Sequence, residues 1–185
     1  MNAFVFNLAF FFFRIKGSRN AVTSFEFHGQ SLVTGSKDRS IRIYDLATFE
    51  LKHQLQPPHY DSISCLALVD DTLYSGGGSQ IGFIKQWNLK TLKSNLTSNS
   101  AHKDSLTSMV RLRGFGASTP SHLLLSAGKD GTMKLWSASN LEAIQEVRGH
   151  EQTINHVALH PTDPGLFYTA SNDKTVKVWR LKAPQ

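Results

Sequence analysis

Over residues 21–185 apolar and polar positions alternate in short runs. Ile41 and Ile43, Met133 and Leu135, and Val176 and Val178 each flank a polar residue. A period of two puts successive side chains on opposite faces of a strand. Turn signals separate the runs: Pro57-Pro58, the Asn/Ser run 94–100, Gly114–Pro120 and Asn140. Thr162–Gly165 is a further loop between the first two strands of the last unit. Short strands at regular spacing predict an all-β chain, and no long stretch of residues 21–185 has helical periodicity.

A longer period is superimposed on the short one. Trp136 and Trp179 are 43 residues apart, as are Asp130 and Asp173, while His102 and His150 are 48 apart. Trp87 and Tyr44 continue the aromatic slot at the same spacing of 43. A unit of about 40–45 residues, opening on Gly-His and closing on an aromatic strand, resembles the WD40 repeat, so the expected fold is a β-propeller. Four repeats can be laid out, at about 21–46, 57–89, 101–137 and 149–180, behind a Phe-rich, non-propeller segment 1–20. Seven blades would need on the order of 300 residues. The 185 residues present therefore favour an incomplete arc of a seven-bladed ring, with repeats missing on the N-terminal side. An arc leaves unpaired edges and a half-exposed face.

Charge changes the picture little. The net charge is +6, but Arg14, Lys16 and Arg19 lie in a stretch without acids. With those three set aside, 17 basic and 14 acidic residues remain, a net +3 that argues against nucleic acid as partner. Cys65 is alone, which excludes a disulfide framework and places the chain by default in a reducing, cytoplasmic compartment. Ala3–Phe13 is too short to span a bilayer and lacks the flanks of a signal peptide. It reads either as an unrelated start or as a strand pairing with an open propeller edge.

The fourth repeat holds His150, Thr169, Asp173 and Trp179, and the third holds His102, Ser126, Asp130 and Trp136. A hydroxyl, an imidazole and a carboxylate together could make a hydrolase. A catalytic set need occur only once, however, and this one repeats. The structural reading is a chain of hydrogen bonds from indole to hydroxyl to imidazole to carboxylate, because buried donors without partners cost about 1–3 kcal/mol each. Burial of His150 separates the two readings. The second repeat keeps His59, Ser75 and Trp87 but puts the Gly76–Gln80 stretch in the acidic slot; the first keeps Thr34 and Asp38, has Tyr44 for Trp and shows no His. GGGSQIG and AGKDGT miss the spacing of phosphate-binding loops, and the scattered histidines miss metal-ligand spacing, so no cofactor or metal is expected. Arg42, Lys85, Lys134 and Lys177 each stand two residues before the aromatic slot. They read as a basic stripe for an acidic partner or as an ordinary solvated strand edge.

The order PPHYD (57–61), AHKD (101–104) and FYTASNDKTVKVW (167–179) goes beyond a generic repeat. Over residues 32–182 it is similar to the WD40 tail of the kinesin-4 motors. The resemblance implies a seven-bladed tail that engages microtubules, cargo or regulatory proteins at the cytoskeleton. The motor's phosphate-binding residues are absent, so no ATPase activity is implied. Ser105 stands where that family tends to have Trp, and residues 114–121 look inserted. The expected function is a non-catalytic interaction scaffold binding protein partners or tubulin. By repeat equivalence the recognition positions are Ser62, Ser64, Ser105, Thr107, Lys129, Thr153, Asn155 and Asn172, with Lys37 in the matching turn.

Overall fold

The computed structural model describes residues 14–113 and 122–182. The Phe-rich stretch through Phe13 and the Gly114–Pro120 loop lie outside the described residues. Among the described residues, fifteen strands form four antiparallel sheets, each paired in sequence order. The first holds β1 (Val22–His28), β2 (Ser31–Ser36), β3 (Ile41–Asp45) and β4 (Leu51–Gln54). The second holds β5 (Ile63–Val69), β6 (Thr72–Gly77), β7 (Gly82–Asn88) and β8 (Lys93–His102). The third holds β9 (Leu106–Arg113), β10 (His122–Gly128), β11 (Thr132–Ser137) and β12 (Ala143–Arg148). The fourth has three described strands, β13 (Ile154–Leu159), β14 (Leu166–Ser171) and β15 (Val176–Arg180).

The outermost strands depart from the expectation. The Asn/Ser run 94–100 is not a loop but the body of β8, and β4 and β12 lie beyond the ends of the repeats drawn from the sequence. All four residues of β4 are exposed, as are most of β8 and β12. An outer strand is held by backbone pairing on one side only, so neither face needs apolar residues and the period-two signal vanishes. Residues 14–20 form no strand, and the Arg19 amide donates to Asp38 Oδ2 at 2.8 Å beside the first sheet.

Each sheet packs face to face on the next, and the core lies in the three junctions. Val33, Ile41 and Ile43 of the first meet Ile63, Leu66 and Trp87 of the second. Ala67, Tyr74 and Ile84 meet Leu106, Met109 and Trp136 at the next junction. Leu125, Ala127 and Met133 meet Ile154, Val157 and Phe167 at the last. The first and fourth sheets share no core cluster, so the blades make an open arc. A hydroxyl staple repeats at every junction. Thr23 Oγ1 bonds the carbonyls of Gly35 and Ile63, Ser64 Oγ those of Gly76 and Leu106, and Thr107 Oγ1 those of Ala127 and Ile154. One side chain thus ties its own blade and the following one.

Candidate functional site

The repeated His/hydroxyl/Asp/aromatic positions come together in the blades. In the fourth, Trp179 Nε1 donates to Thr169 Oγ1 at 2.8 Å, Thr169 Oγ1 lies 2.6 Å from His150 Nε2, and His150 Nδ1 lies 2.7 Å from Asp173 Oδ2. A neutral imidazole protonated on Nδ1 satisfies the whole chain: indole to hydroxyl, hydroxyl to Nε2, Nδ1 to carboxylate. His150 is 3 % exposed and Thr169 1 %, so no substrate reaches them. Trp179 is half-buried, whereas Trp136 is 3 % exposed. The third blade repeats the chain: Trp136 Nε1 to Ser126 Oγ at 2.8 Å, Ser126 Oγ to His102 Nε2 at 2.7 Å, His102 Nδ1 to both Asp130 oxygens at 3.2 Å. Burial opposes ionisation of Asp130, but bonds from His102 and Thr132 outweigh it and hold the carboxyl well below its usual range. For Asp173 the Thr175 hydroxyl acts first, burial opposes, and His150 adds to the lowering.

Blade two keeps the upper half of the chain. Trp87 Nε1 donates to Ser75 Oγ at 2.8 Å, and His59 Nε2 lies 2.6 Å from it. Among the described residues no carboxylate bonds the ring, which stacks on Phe83. Burial, then the charge of Lys85, pushes the His59 pKa down to about 3. In blade one Ser18 sits where the imidazole would, and Arg42 bridges it to Asp38, with Nη1 3.1 Å from Ser18 Oγ and 2.9 Å from Asp38 Oδ2. Thr34 Oγ1 is left buried without a partner.

The basic positions are neither a stripe nor a solvated edge. Arg42 and Lys85 are buried, Lys85 Nζ sits 4.2 Å above the Trp87 ring, Lys134 pairs with Glu146 at 3.0 Å, and Lys177 Nζ donates to the Gly149 carbonyl. Lys85, Lys134 and Lys177 lie on the faces between blades and Arg42 on the outer face of the first blade beside Ser18, where packing holds the stems and local acceptors take the charge. Burial pushes the Cys65 thiol up to about 12, so it is a packing group.

Several of the positions expected to carry recognition lie on one rim, where each blade's opening loop meets its central turn. Lys129, Asn155 and Asn172 are exposed there, with Asn155 Nδ2 2.7 Å from Asn172 Oδ1. Ser62 and Thr153 are half-buried, and their carbonyls receive the Gly78 and Asn172 amides of the turns. Three expected recognition residues are turned inward. Ser64 and Thr107 are staples, and Ser105 is 4 % exposed with an unpartnered Oγ. Repeat equivalence locates a position but not the direction of its side chain.

The sequence reading missed Tyr60, 90 % exposed, and Ile81, 57 % exposed. Asp61 holds them together: its carboxylate accepts the Ser62 and Ser79 amides at 2.6 and 2.7 Å, clamping the long turn of blade two beside the opening loop. A cleft of about 180 Å³ lies between them, lined also by Phe83, Thr97 and Asn99. The corresponding loops and turns of the two neighbouring blades carry exposed cations, Arg19 and Lys37 in blade one and Lys103 and Lys129 in blade three. The available signal was that the residue after each His slot is Tyr60, Lys103 or Glu151.

The family described as WD domain, G-beta repeat matches residues 11–45, 93–137 and 141–180. The chain belongs to the WD40 family. This WD40 chain is 35 % identical over 153 residues to the kinesin-like protein KIF21B of Homo sapiens, which covers 80 % of the chain and 9 % of that relative. It is 31 % identical over 158 residues to the kinesin-like protein klp-12 of Caenorhabditis elegans, covering 81 % and 9 %. The chain thus spans about a tenth of these relatives' length. Among solved structures, the RRP9 WD40 repeats superpose with a TM-score of 0.75 at 21 % identity, covering 90 % of this chain and 50 % of that one. That likeness concerns the fold. Among the described residues no helix is long and apolar enough to cross a membrane.

Proposed function

We propose that this WD40 chain is a non-catalytic, kinesin-tail type interaction module that binds an acidic protein surface, microtubules in the first instance, through its narrow rim. The observation that carries the reading is the rim itself: Tyr60 and Ile81 are exposed on blade two, and its neighbours carry exposed Arg19 and Lys37 in blade one and Lys103 and Lys129 in blade three. An apolar anchor with cations on the neighbouring blades suits a partner that offers a pocket within an acidic field. The groups that resemble a hydrolase are enclosed and serve the blades. Similarity to kinesin-like proteins supports a cytoplasmic, cytoskeleton-associated setting. The rim cations, not the strand lysines named from the sequence, are the electrostatic element of this reading.

Co-sedimentation with microtubules over a salt series tests it. Binding is expected to weaken with salt, since exposed charges are screened beyond about 8 Å at physiological ionic strength. It should drop several-fold in Tyr60→Ala and again in Lys37→Ala/Lys103→Ala/Lys129→Ala. A chain that stays in the supernatant at low salt, or variants that pellet like wild type, would refute tubulin recognition by this rim. In the former case the rim would serve a scaffold unrelated to microtubules.

A further inference from the structure

Blade two lacks two acids that blade three supplies around the equivalent groups. The first is the partner of the imidazole. In blades three and four Nδ1 of the opening histidine meets Asp130 or Asp173. In blade two His59 Nε2 is tied to Ser75 at 2.6 Å, and among the described residues no carboxylate bonds the ring. The Gly76–Gln80 turn, which stands in the acidic slot, contains no acid. The second acid belongs to the outer strand. Lys134 is in register with Glu146 across β11 and β12, and the two pair at 3.0 Å. Lys85, the equivalent lysine, is in register with Thr97 across β7 and β8.

Lys85 is therefore poorly compensated. It is 7 % exposed, its ammonium lies 4.2 Å from the centre of the Trp87 ring, and its hydrogen bond to the Pro57 carbonyl is long at 3.5 Å. Among the described residues no carboxylate pairs with it, whereas Arg42 has Asp38. A buried charge without a counter-charge is costly, and burial pulls this lysine below its ordinary pKa. His59 is close enough to feel the same ammonium, which adds to burial in keeping the ring neutral.

Both groups line the cleft of about 180 Å³ beside Tyr60 and Ile81, as does Thr97. Asp61 lines it too, but its oxygens are engaged by the Ser62 and Ser79 amides at 2.6 and 2.7 Å and by the Ser79 hydroxyl at 2.5 Å. With the Ser75 hydroxyl donating to Nε2, the neutral His59 ring carries its proton on Nδ1, the tautomer of blades three and four. The cleft thus offers one ammonium and one neutral N–H donor beside apolar walls.

We infer, building on the rim as the recognition surface proposed above, that this cleft takes the carboxylate of one aspartate or glutamate side chain from an acidic protein segment. The guest carboxylate accepts from the Lys85 ammonium and from His59 Nδ1, and so supplies from outside the two acids that blade two lacks. One ammonium balances one negative charge, which suits a carboxylate better than a doubly charged phosphate. Charge-assisted bonds are strongest where water is excluded, and Tyr60 and Ile81 provide that shielding.

Fluorescein-labelled hexaglutamate, with hexaglutamine as control, is the probe, read by anisotropy at low salt. Hexaglutamate should bind and hexaglutamine should not. Lys85→Met should weaken hexaglutamate by about tenfold or more, the loss of one bond to a charged group. Thr97→Glu, on the exposed outer strand, should weaken it as much by giving Lys85 an internal partner, and should melt at a higher temperature than wild type. The three tryptophans give a second measurement, because their indole N–H resonances report one blade each. Trp87 is linked through Ser75 to His59, so hexaglutamate should shift its resonance and leave those of Trp136 and Trp179 in place. Binding no tighter than hexaglutamine, binding that survives both variants, a Thr97→Glu chain that melts lower, or a Trp87 resonance that moves no more than the other two would each overturn the carboxylate site. If hexaglutamate binding falls only in Lys37→Ala/Lys103→Ala/Lys129→Ala, the acidic-surface reading of the rim stands and the cleft is excluded. If the cleft behaves as expected while microtubules stay unbound, the carboxylate site stands and microtubules fall as the partner.

Discussion

Thr34 in the first blade holds the position that Ser126 holds in the third, yet Thr34 Oγ1 is buried without a partner while Ser126 Oγ bonds both Trp136 and His102. The difference lies in the surrounding slots. With Ser18 for histidine and Tyr44 for tryptophan, nothing reaches the Thr34 hydroxyl, and Arg42 takes over the tie to Asp38. Equivalent substitutions should then have opposite effects. Ser126→Ala strands the indole N–H and the imidazole, a loss of about 2–4 kcal/mol. Thr34→Val exchanges an unpaired hydroxyl for a methyl group and should leave stability unchanged or raise it by up to about 1 kcal/mol. Urea midpoints of the two variants check this, and a large loss in Thr34→Val would show a hidden partner.

His59 sets a pH dependence. The folded ring stays neutral down to about pH 3, whereas the unfolded chain takes up the proton near 6.5. Its contribution is complete above 6.5 and is lost as the pH falls toward 3, at up to about 1.4 kcal/mol per pH unit. Asp130 acts in a lower window, below its ordinary value of 3.8. His59→Gln should therefore be less stable at neutral pH but show a flatter decline from pH 6.5 to 4. Thermal midpoints across that range decide, and parallel curves would assign the decline elsewhere.

Gly149 stands directly under an aromatic ring. A Cβ there would lie 2.2 Å from Trp179 Cη2. Gly149→Ala must displace the indole from Thr169, so a loss of about 1–3 kcal/mol is expected from overpacking. A red-shifted tryptophan emission should accompany it; an unchanged spectrum and midpoint would contradict this contact.

The strand lysines should sort by burial and not act as a set. Lys85 is 7 % exposed, so Lys85→Glu brings a carboxylate into a buried place beside His59 and Trp87 and should destabilise by at least about 2 kcal/mol. Lys134→Glu meets Glu146, which is 51 % exposed, and should change stability by less than about 1 kcal/mol. Denaturant unfolding of the two single variants is the measurement, and equal effects would mean that burial does not govern these sites.

Much of this was legible along the chain because the repeat restates itself. The 43-residue spacing of Asp130 and Asp173, and of Trp136 and Trp179, marks one blade after another, and the alternation of the buried Ile41 and Ile43 with polar neighbours marks a strand. The strands β4, β8 and β12 escaped because backbone pairing at an outer edge makes no demand on side chains. Tyr60 and Ile81 escaped because surface residues carry no periodic constraint.

By itself the sequence determined the all-β class, the four-unit arc and the pairing of each histidine with a hydroxyl and, in two blades, a carboxylate. These follow from local periodicity and from the need of buried polar groups for partners. Only the tertiary structure decided which positions point inward. Ser64, Ser105 and Thr107 share spacing with exposed residues but face the junctions, and Lys85 lies over a ring instead of in water. It also put Tyr60 and Ile81 side by side through Asp61. The reason is physical: the facing of a side chain depends on which blade packs against it, and that contact lies some forty residues away.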